Sequence, residues 1–240
     1  MKINNKVRFE DFFVYLNKSK TLIISDLQLG YEGDLIQSGI FLPANNYNNL
    51  IKRIDKTIKK IKPKKIIING DLKHEFGRIS RHEWREVRGM LEFLKSKCET
   101  IIVKGNHDNF IGPLAKKHEI EVSEYKIIDD YLICHGDKIL DVKENYEGII
   151  IGHEHPAISI SDGSFSEKYK CFLVGKFKNK ELIVQPSAFL LNLGTDITKY
   201  STHSPFIDNI NNFEVYALSD KIFDFGKFKD INQINKWVKT

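Results

Sequence analysis

Asp26, Gln28, Asp71, Asn106, His107, Asp108, His135, His153 and His155 are residue types that ligate metals or move protons, and they fall just after short apolar runs. Leu22-Ile-Ile-Ser runs into Asp26 and Gln28, and Ile66-Ile-Ile-Asn into Gly70-Asp71. Ile101-Ile-Val-Lys runs into Gly105-Asn106-His107-Asp108, Leu132-Ile-Cys into His135-Gly136-Asp137, and Ile149-Ile-Ile-Gly into His153-Glu154-His155. Carboxylates, imidazoles and an amide without a thiolate suit manganese, iron, nickel or zinc better than copper(I) or an iron–sulfur cluster. They are too many for one ion. A carboxylate such as Asp71 can bridge two ions about 4 Å apart, the separation used by two-metal phosphatases and nucleases. Without a cation, so much buried charge would be costly.

Taken singly, the pieces are ordinary. An Asp after a strand is common turn or cap chemistry, Gly70-Asp71 is a common turn pair, and His135 alone reads as a satisfied core histidine. His153 and His155 share one side of an extended segment. Gly105-Asn106-His107-Asp108 behind an apolar strand is the most specific element. Five such stretches in one chain are not coincidence.

These residues need elements that bring them together. Residues 21–25, 66–69 and 100–104 read as buried strands, and unbroken apolar runs separated by helices predict a largely parallel sheet covered on both faces. In such sheets ligands bind beyond the carboxyl ends of the strands, so the five stretches converge. A helix is predicted over 44–61, with Tyr47, Leu50, Ile51, Ile54, Ile58 and Ile61 on one face, Lys52, Lys56, Lys59 and Lys60 on the other, and Pro63 beyond its end. A second is predicted over 81–97, with Trp84, Val87, Leu91 and Leu94 inward. After about residue 120 strands dominate, over 125–128, 131–134, 149–151, 170–177, 181–184, 213–218 and 222–225. Asn179-Lys180 reads as the turn of a hairpin.

The series Asp-x-Gln, Gly-Asp, Gly-Asn-His-Asp, His, Gly-His-x-His, from Asp26 through His155, resembles the signature of the calcineurin-like metallophosphoesterases. Gly70-Asp-Leu-Lys-His-Glu-Phe-Gly77 further resembles an archaeal branch related to the SbcD nuclease subunit. The resemblance implies an α/β fold, a four-layer α/β/β/α sandwich of two packed mixed sheets flanked by helices. It implies a first metal on Asp26, Gln28, Asp71 and His155, and a second on Asp71, Asn106, His135 and His153. It also implies in-line attack on phosphorus by a hydroxide bridging the ions, with His107 as general acid and Asp108 orienting it. The family usually has His where Gln28 stands; an amide oxygen is a weaker, neutral ligand, which favours manganese over zinc, with nickel, iron and magnesium also admitted.

The 240 residues, 41% hydrophobic and 29% charged, read as one domain. No apolar run reaches the roughly 20 residues of a membrane helix, and the polar N-terminus is no secretory signal. Cys98, Cys134 and Cys171, an odd count without CxxC, argue against a disulfide framework or thiolate zinc and for a reducing cytoplasm. A net charge of +5 admits an anionic substrate, nucleic acid included, without requiring it. His74 and Arg78 are candidates for substrate phosphate. Arg81, Arg85 and Arg88 are placed on the helix face away from Trp84, as either a phosphate track or a solvated face paired with Glu83 and Glu86. No P-loop or GxGxxG occurs. The expected activity is phosphoester hydrolysis, of a diester first; the alternative is a weak or inactive phosphoesterase fold kept as a scaffold for partner proteins. Oligomeric state is left open.

Overall fold

The computed structural model describes residues 1–39, 45–75, 80–161 and 165–231. The chain opens with an antiparallel hairpin, β1 (Val7–Glu10) and β2 (Phe13–Leu16), turned through Asp11 at φ 58°. Next come β3 (Thr21–Ser25), α1 (Tyr31–Gln37), α2 (Asn46–Ile61) and β4 (Lys65–Asn69). They are followed by α3 (Arg81–Lys97), β5 (Glu99–Val103), α4 (Ile111–Lys117) and β6 (Glu121–Ser123). The six strands form one sheet in chain order, antiparallel up to β3 and parallel from there to β6. The parallel register pairs Ser25 with Asn69 and Asn69 with Val103, so three strands end level.

The second sheet begins with β7 (Tyr125–Ile128), β8 (Tyr131–Cys134), β9 (Gly148–Ile151), β10 (Pro156–Ser161) and β11 (Ser166–Phe177). It is completed by β12 (Lys180–Val184), β13 (Thr195–Asp196), β14 (Glu214–Leu218) and β15 (Ile222–Lys227). Its order is β13-β10-β11-β12-β9-β8-β7, with β14 pairing β11 and β15. The hairpin between β11 and β12 pairs Phe177 with Lys180, so its two-residue loop is Lys178-Asn179, both at positive φ, and not Asn179-Lys180. Two left-handed residues in succession make the tight turn whose twist matches the strands it joins.

The two sheets pack face to face. Phe9 stacks on Phe172 at 3.9 Å between ring centres, and the Gln185 side chain donates across the seam to the carbonyls of Phe12 and Ile23, each at 3.0 Å. The fully buried isoleucines and leucines of β3 and β4 are worth roughly 1.5–3 kcal/mol apiece. α2 lays Leu50, Ile54, Thr57 and Ile58 inward, and Lys62 ends it in a left-handed cap. The outer face of the second sheet carries its own apolar cluster, in which Phe206, Ile207, Phe213, Phe228 and Ile231 take part. Cys134 and Cys171 are buried while Cys98 is half-buried; all three are free thiols. No helix among the described residues is long and apolar enough to cross a membrane.

α3 departs from its predicted orientation. Its buried face is Glu83, Glu86, Val87, Met90, Leu91 and Leu94, and Trp84 is turned out, 39% exposed. Its first two turns lie over the loops that follow β3 and β4, where backbone amides need acceptors. Carboxylates therefore occupy the positions that apolar periodicity would fill.

Candidate metal centre

The level ends of β3, β4 and β5 and the ends of β8 and β9 present the predicted residues together. The ladder continues past the strands: Asp26 N donates to Gly70 O at 3.1 Å, Gln28 N to Asp71 O at 2.9 Å and Gly70 N to Val103 O at 2.8 Å. Asp26, Gln28, Asp71, His153 and His155 all lie at positive φ, between 47° and 62°. A left-handed conformation costs an ordinary residue roughly 1–2 kcal/mol, and five at one site mark strain concentrated where side chains are aimed. Close packing allows only glycine behind them. A Cβ on Gly70, itself at φ 78°, would overlap the His135 ring, and one on Gly152 would overlap the side chains of Ser25 and Asp26.

Two clusters result. In the first, ligand atoms of Asp26, Asp71 and His155 lie within 4.8 Å of one another. His155 Nε2 stands 2.9 Å from Asp26 Oδ1, yet the nitrogen is buried and makes no hydrogen bond. In the second, three atoms surround His135 Nε2: Asn106 Oδ1 at 2.9 Å, His153 Nδ1 at 3.2 Å and Asp71 Oδ1 at 3.4 Å. One imidazole nitrogen has one proton or one lone pair to offer, so it cannot satisfy three such neighbours. A cation among them can. Asp71 stands in both clusters, and its Oδ2 points elsewhere, accepting from Gln28 Nε2 at 2.9 Å.

The electrostatics match. Burial works to raise the Asp26 carboxyl, but His155, His135 and the Ser25 hydroxyl hold it at about 2. Burial works to lower His135, but Asp71 and Asp26 carry it up to about 9. His135 therefore sits in the negative surroundings of Asp71 and Asp26, which favour positive charge there. The donor set and the crowding of Asp26, Asp71 and His155 and of the three atoms around His135 Nε2 fit a divalent metal.

Gln28 is placed at the site with its amide nitrogen toward Asp71. Its Oε1 faces His74 Nδ1 at 2.8 Å, which an acceptor oxygen requires of a ring N–H. His107 donates its backbone N–H to Asp71 Oδ1 at 3.0 Å, and its Nε2 lies 3.7 Å from Asp71 Oδ2. The ring Nδ1 of His107 meets the carbonyl of His74, so Nδ1 carries the proton there. The resemblance implies that Asp108 orients His107; in the structure the Asp108 carboxylate is engaged by backbone, Oδ1 accepting from Leu72 N at 3.0 Å and Oδ2 from Gly105 N at 2.9 Å. It is fully buried, and burial pushes it up to about 6. Asp108 thus ties the β5 loop to the β4 loop, and the His74 carbonyl orients His107. The His74 ring lies nearly parallel to that of His107, 5.9 Å away, and edge-on to Tyr31. Arg78 lies outside the described residues.

Several supports carry no sequence signal of their own. Glu83 Oε1 accepts from His74 N at 2.9 Å and Glu75 N at 3.0 Å, and Glu86 Oε2 accepts from Gly30 N at 2.9 Å. Glu154, between the two site histidines, accepts from His203 N and Ser204 N. The buried Lys170 donates to Ser187 O at 2.9 Å, and the adjoining Ala188 and Phe189 amides donate to the carbonyls of Ser25 and Asp26. Of these, Glu83→Ala strands two loop amides and is expected to cost about 2–3 kcal/mol in urea unfolding, with Glu83→Gln recovering part of it. A loss below about 0.5 kcal/mol, the size of a surface substitution, would deny Glu83 this role.

Residues 19–168, well over half the chain, match the family model of the calcineurin-like phosphoesterases. Among solved structures, a nuclease of Pseudomonas putida called MPE shares the fold at a TM-score of 0.65 and 15% identity, over 90% of this chain and 92% of that one. The Aquifex aeolicus protein AQ665, described as of unknown function, aligns at 0.40 and 21% identity over 56% of this chain and 78% of its own. The E. coli phosphoesterase Yfce aligns at 0.40 and 12% identity over 81% and 86%. No curated protein matches in sequence.

Proposed function

The chain belongs to the calcineurin-like phosphoesterases, metal-dependent phosphoric ester hydrolases, and from that premise we propose that it cleaves phosphodiesters with two divalent ions. The observation that carries the proposal is the double membership of Asp71: one oxygen faces His135, beside Asn106 and His153, and a carboxylate oxygen lies within 4.8 Å of ligand atoms of Asp26 and His155. Asp26, Asp71 and His155 would hold the first ion, with Gln28 once its amide oxygen turns inward; Asp71, Asn106, His135 and His153 would hold the second. Bound there, the ions supply an activated water and neutralise charge on the phosphoryl oxygens. Two carboxamides and two carboxylates among the donors favour manganese.

The residues around the ions do the rest. His107, its Nδ1 proton held by the His74 carbonyl, presents Nε2 to the leaving oxygen and delivers a proton there. Asp108 acts through the backbone, fixing the loop that carries Asn106 and His107. His74, whose Nδ1 faces Gln28 Oε1 at 2.8 Å, is assigned with Arg78 to the substrate set. A nuclease shares this fold, so nucleotide and nucleic-acid diesters head the substrates to test.

The test is turnover of bis-p-nitrophenyl phosphate with manganese, nickel and magnesium, alongside the metal retained after dialysis. Turnover restored by one of these metals is expected. No turnover with any of them, and no metal retained, would leave the scaffold reading in its place. Gln28→His is expected to tighten the weaker of two metal-binding steps in calorimetry by about 10-fold, on the scale at which groups around a metal tune affinity. Unchanged affinity would remove Gln28 from the ligand set.

A further inference from the structure

Arg81, Trp84, Arg85 and Arg88 fall at i, i+3, i+4 and i+7, so they form a single stripe on α3, and all four are exposed. Apolar periodicity predicts Trp84 on the opposite face; its outward turn puts an indole among three guanidinium groups. Glu83 and Glu86, the acids that would have neutralised a solvated face, are buried and spent on loop amides. Among the described residues no ion pair holds Arg81 or Arg85, and Arg88 has only a loose partner in Glu92 at 3.6 Å, both side chains half exposed. The contrast with α2 is informative: Lys59 pairs with Asp55 and Lys60 with Glu10. The stripe is thus free positive charge around an exposed aromatic plane. A cleft of about 460 Å³ lies beside it, lined by Tyr47, Asn48, His82, Arg85 and Arg88, with the buried Glu32 and Glu86 also on its wall.

Its position ties it to the metal centre. Glu83, the residue before Trp84, bonds His74 N, and His74 bonds Gln28. The stripe starts at the end of α3 nearest the ions and runs away from them for seven residues, about 10 Å. At about 3.4 Å per stacked nucleotide, that length accommodates about three.

We infer that this stripe binds a single-stranded segment of nucleic acid leading from the scissile phosphate, Trp84 stacking on an unpaired base and the arginines facing phosphates. The inference rests on the diester reading above. A duplex hides its base faces and offers Trp84 no partner; a single strand exposes one at every nucleotide.

The test uses the manganese-loaded protein and a twelve-residue phosphorothioate oligothymidylate, which resists hydrolysis. In a Trp237→Phe background, tryptophan emission reports on Trp84, and saturable quenching is expected. By anisotropy Trp84→Ala is expected to lose at least about fivefold in affinity, Trp84→Phe retaining most of it. Exposed as it is, Trp84→Ala should shift Tm by no more than about 2 °C. Removing Arg81 and Arg85 together should reduce the slope of log K against log salt by about 1.4, at about 0.7 per phosphate released. Unquenched Trp84 emission, equal affinity of Trp84→Ala, or tighter binding of the matching duplex would each overturn the assignment. Turnover of the small diester by the unsubstituted protein tests the diester reading separately, because the titration requires no catalysis.

Discussion

Replacing His107 with asparagine is expected to slow hydrolysis of an alkyl phosphodiester by about 10²–10⁴-fold, the usual yield of a positioned general acid. The same change should leave bound metal untouched and alter the rate on p-nitrophenyl esters far less. The leaving group decides this: p-nitrophenolate departs without a proton, whereas an alkoxide needs one. Metal should be retained because the backbone N–H of residue 107, not its ring, holds Asp71 Oδ1 at 3.0 Å. The ring contributes Nε2, 3.7 Å from Asp71 Oδ2, with Nδ1 fixed on the His74 carbonyl. Rates on a leaving-group series, with metal content measured on the same samples, decide the matter. An equal loss for good and poor leaving groups would mean that His107 positions substrate and does not protonate it.

The site is legible in the sequence where one strand ends and a ligand-type residue begins. A parallel strand buried on both faces has to be apolar throughout, so Asp26, Asp71, Asn106, His135 and His153 stand out against the runs before them. What cannot be read is which backbone groups each loop leaves unpaired. Asp108 follows His107 directly and invites pairing with its ring, yet the fold leaves the amides of Leu72 and Gly105 without other acceptors, and the carboxylate goes to them. The same demand turns α3 around. Apolar periodicity puts Trp84 inward because it assumes a sheet beneath the helix, whereas the first turns of α3 cover loops, and Glu83 and Glu86 take the inner positions. The β1–β2 hairpin escapes for another reason. β1 alternates, with Val7 and Phe9 buried, but over four residues only; β2 does not alternate, all four of its residues being buried, and Asp11 makes the turn without the usual Asn-Gly pair. Contacts such as Lys170 with Ser187 are set by how β11 lies against the loop after β12 and leave no local trace.

Asp71→Asn should do the most damage. The carboxylate belongs to both clusters, and its two oxygens are committed differently. Oδ1 accepts from His107 N and faces His135 Nε2, while Oδ2 accepts from Gln28 Nε2. An asparagine oriented to keep the first contact turns its NH₂ toward the Gln28 amide nitrogen, donor against donor. The alternative orientation gives up the contact with His107. In either orientation the carboxylate that stands in both clusters becomes neutral. Losing several kcal/mol of transition-state stabilisation corresponds to at least about 10³ in turnover, and retained metal should fall from two ions per chain to at most one. Asparagine is nearly isosteric, so the variant should still unfold cooperatively in EDTA, its stability lowered by no more than the one mispaired contact, about 1–3 kcal/mol. Elemental analysis after dialysis, read beside thermal melts in EDTA, separates the cases. Two retained ions with full turnover would show that the sites do not share Asp71, and the two-ion mechanism would fall with it.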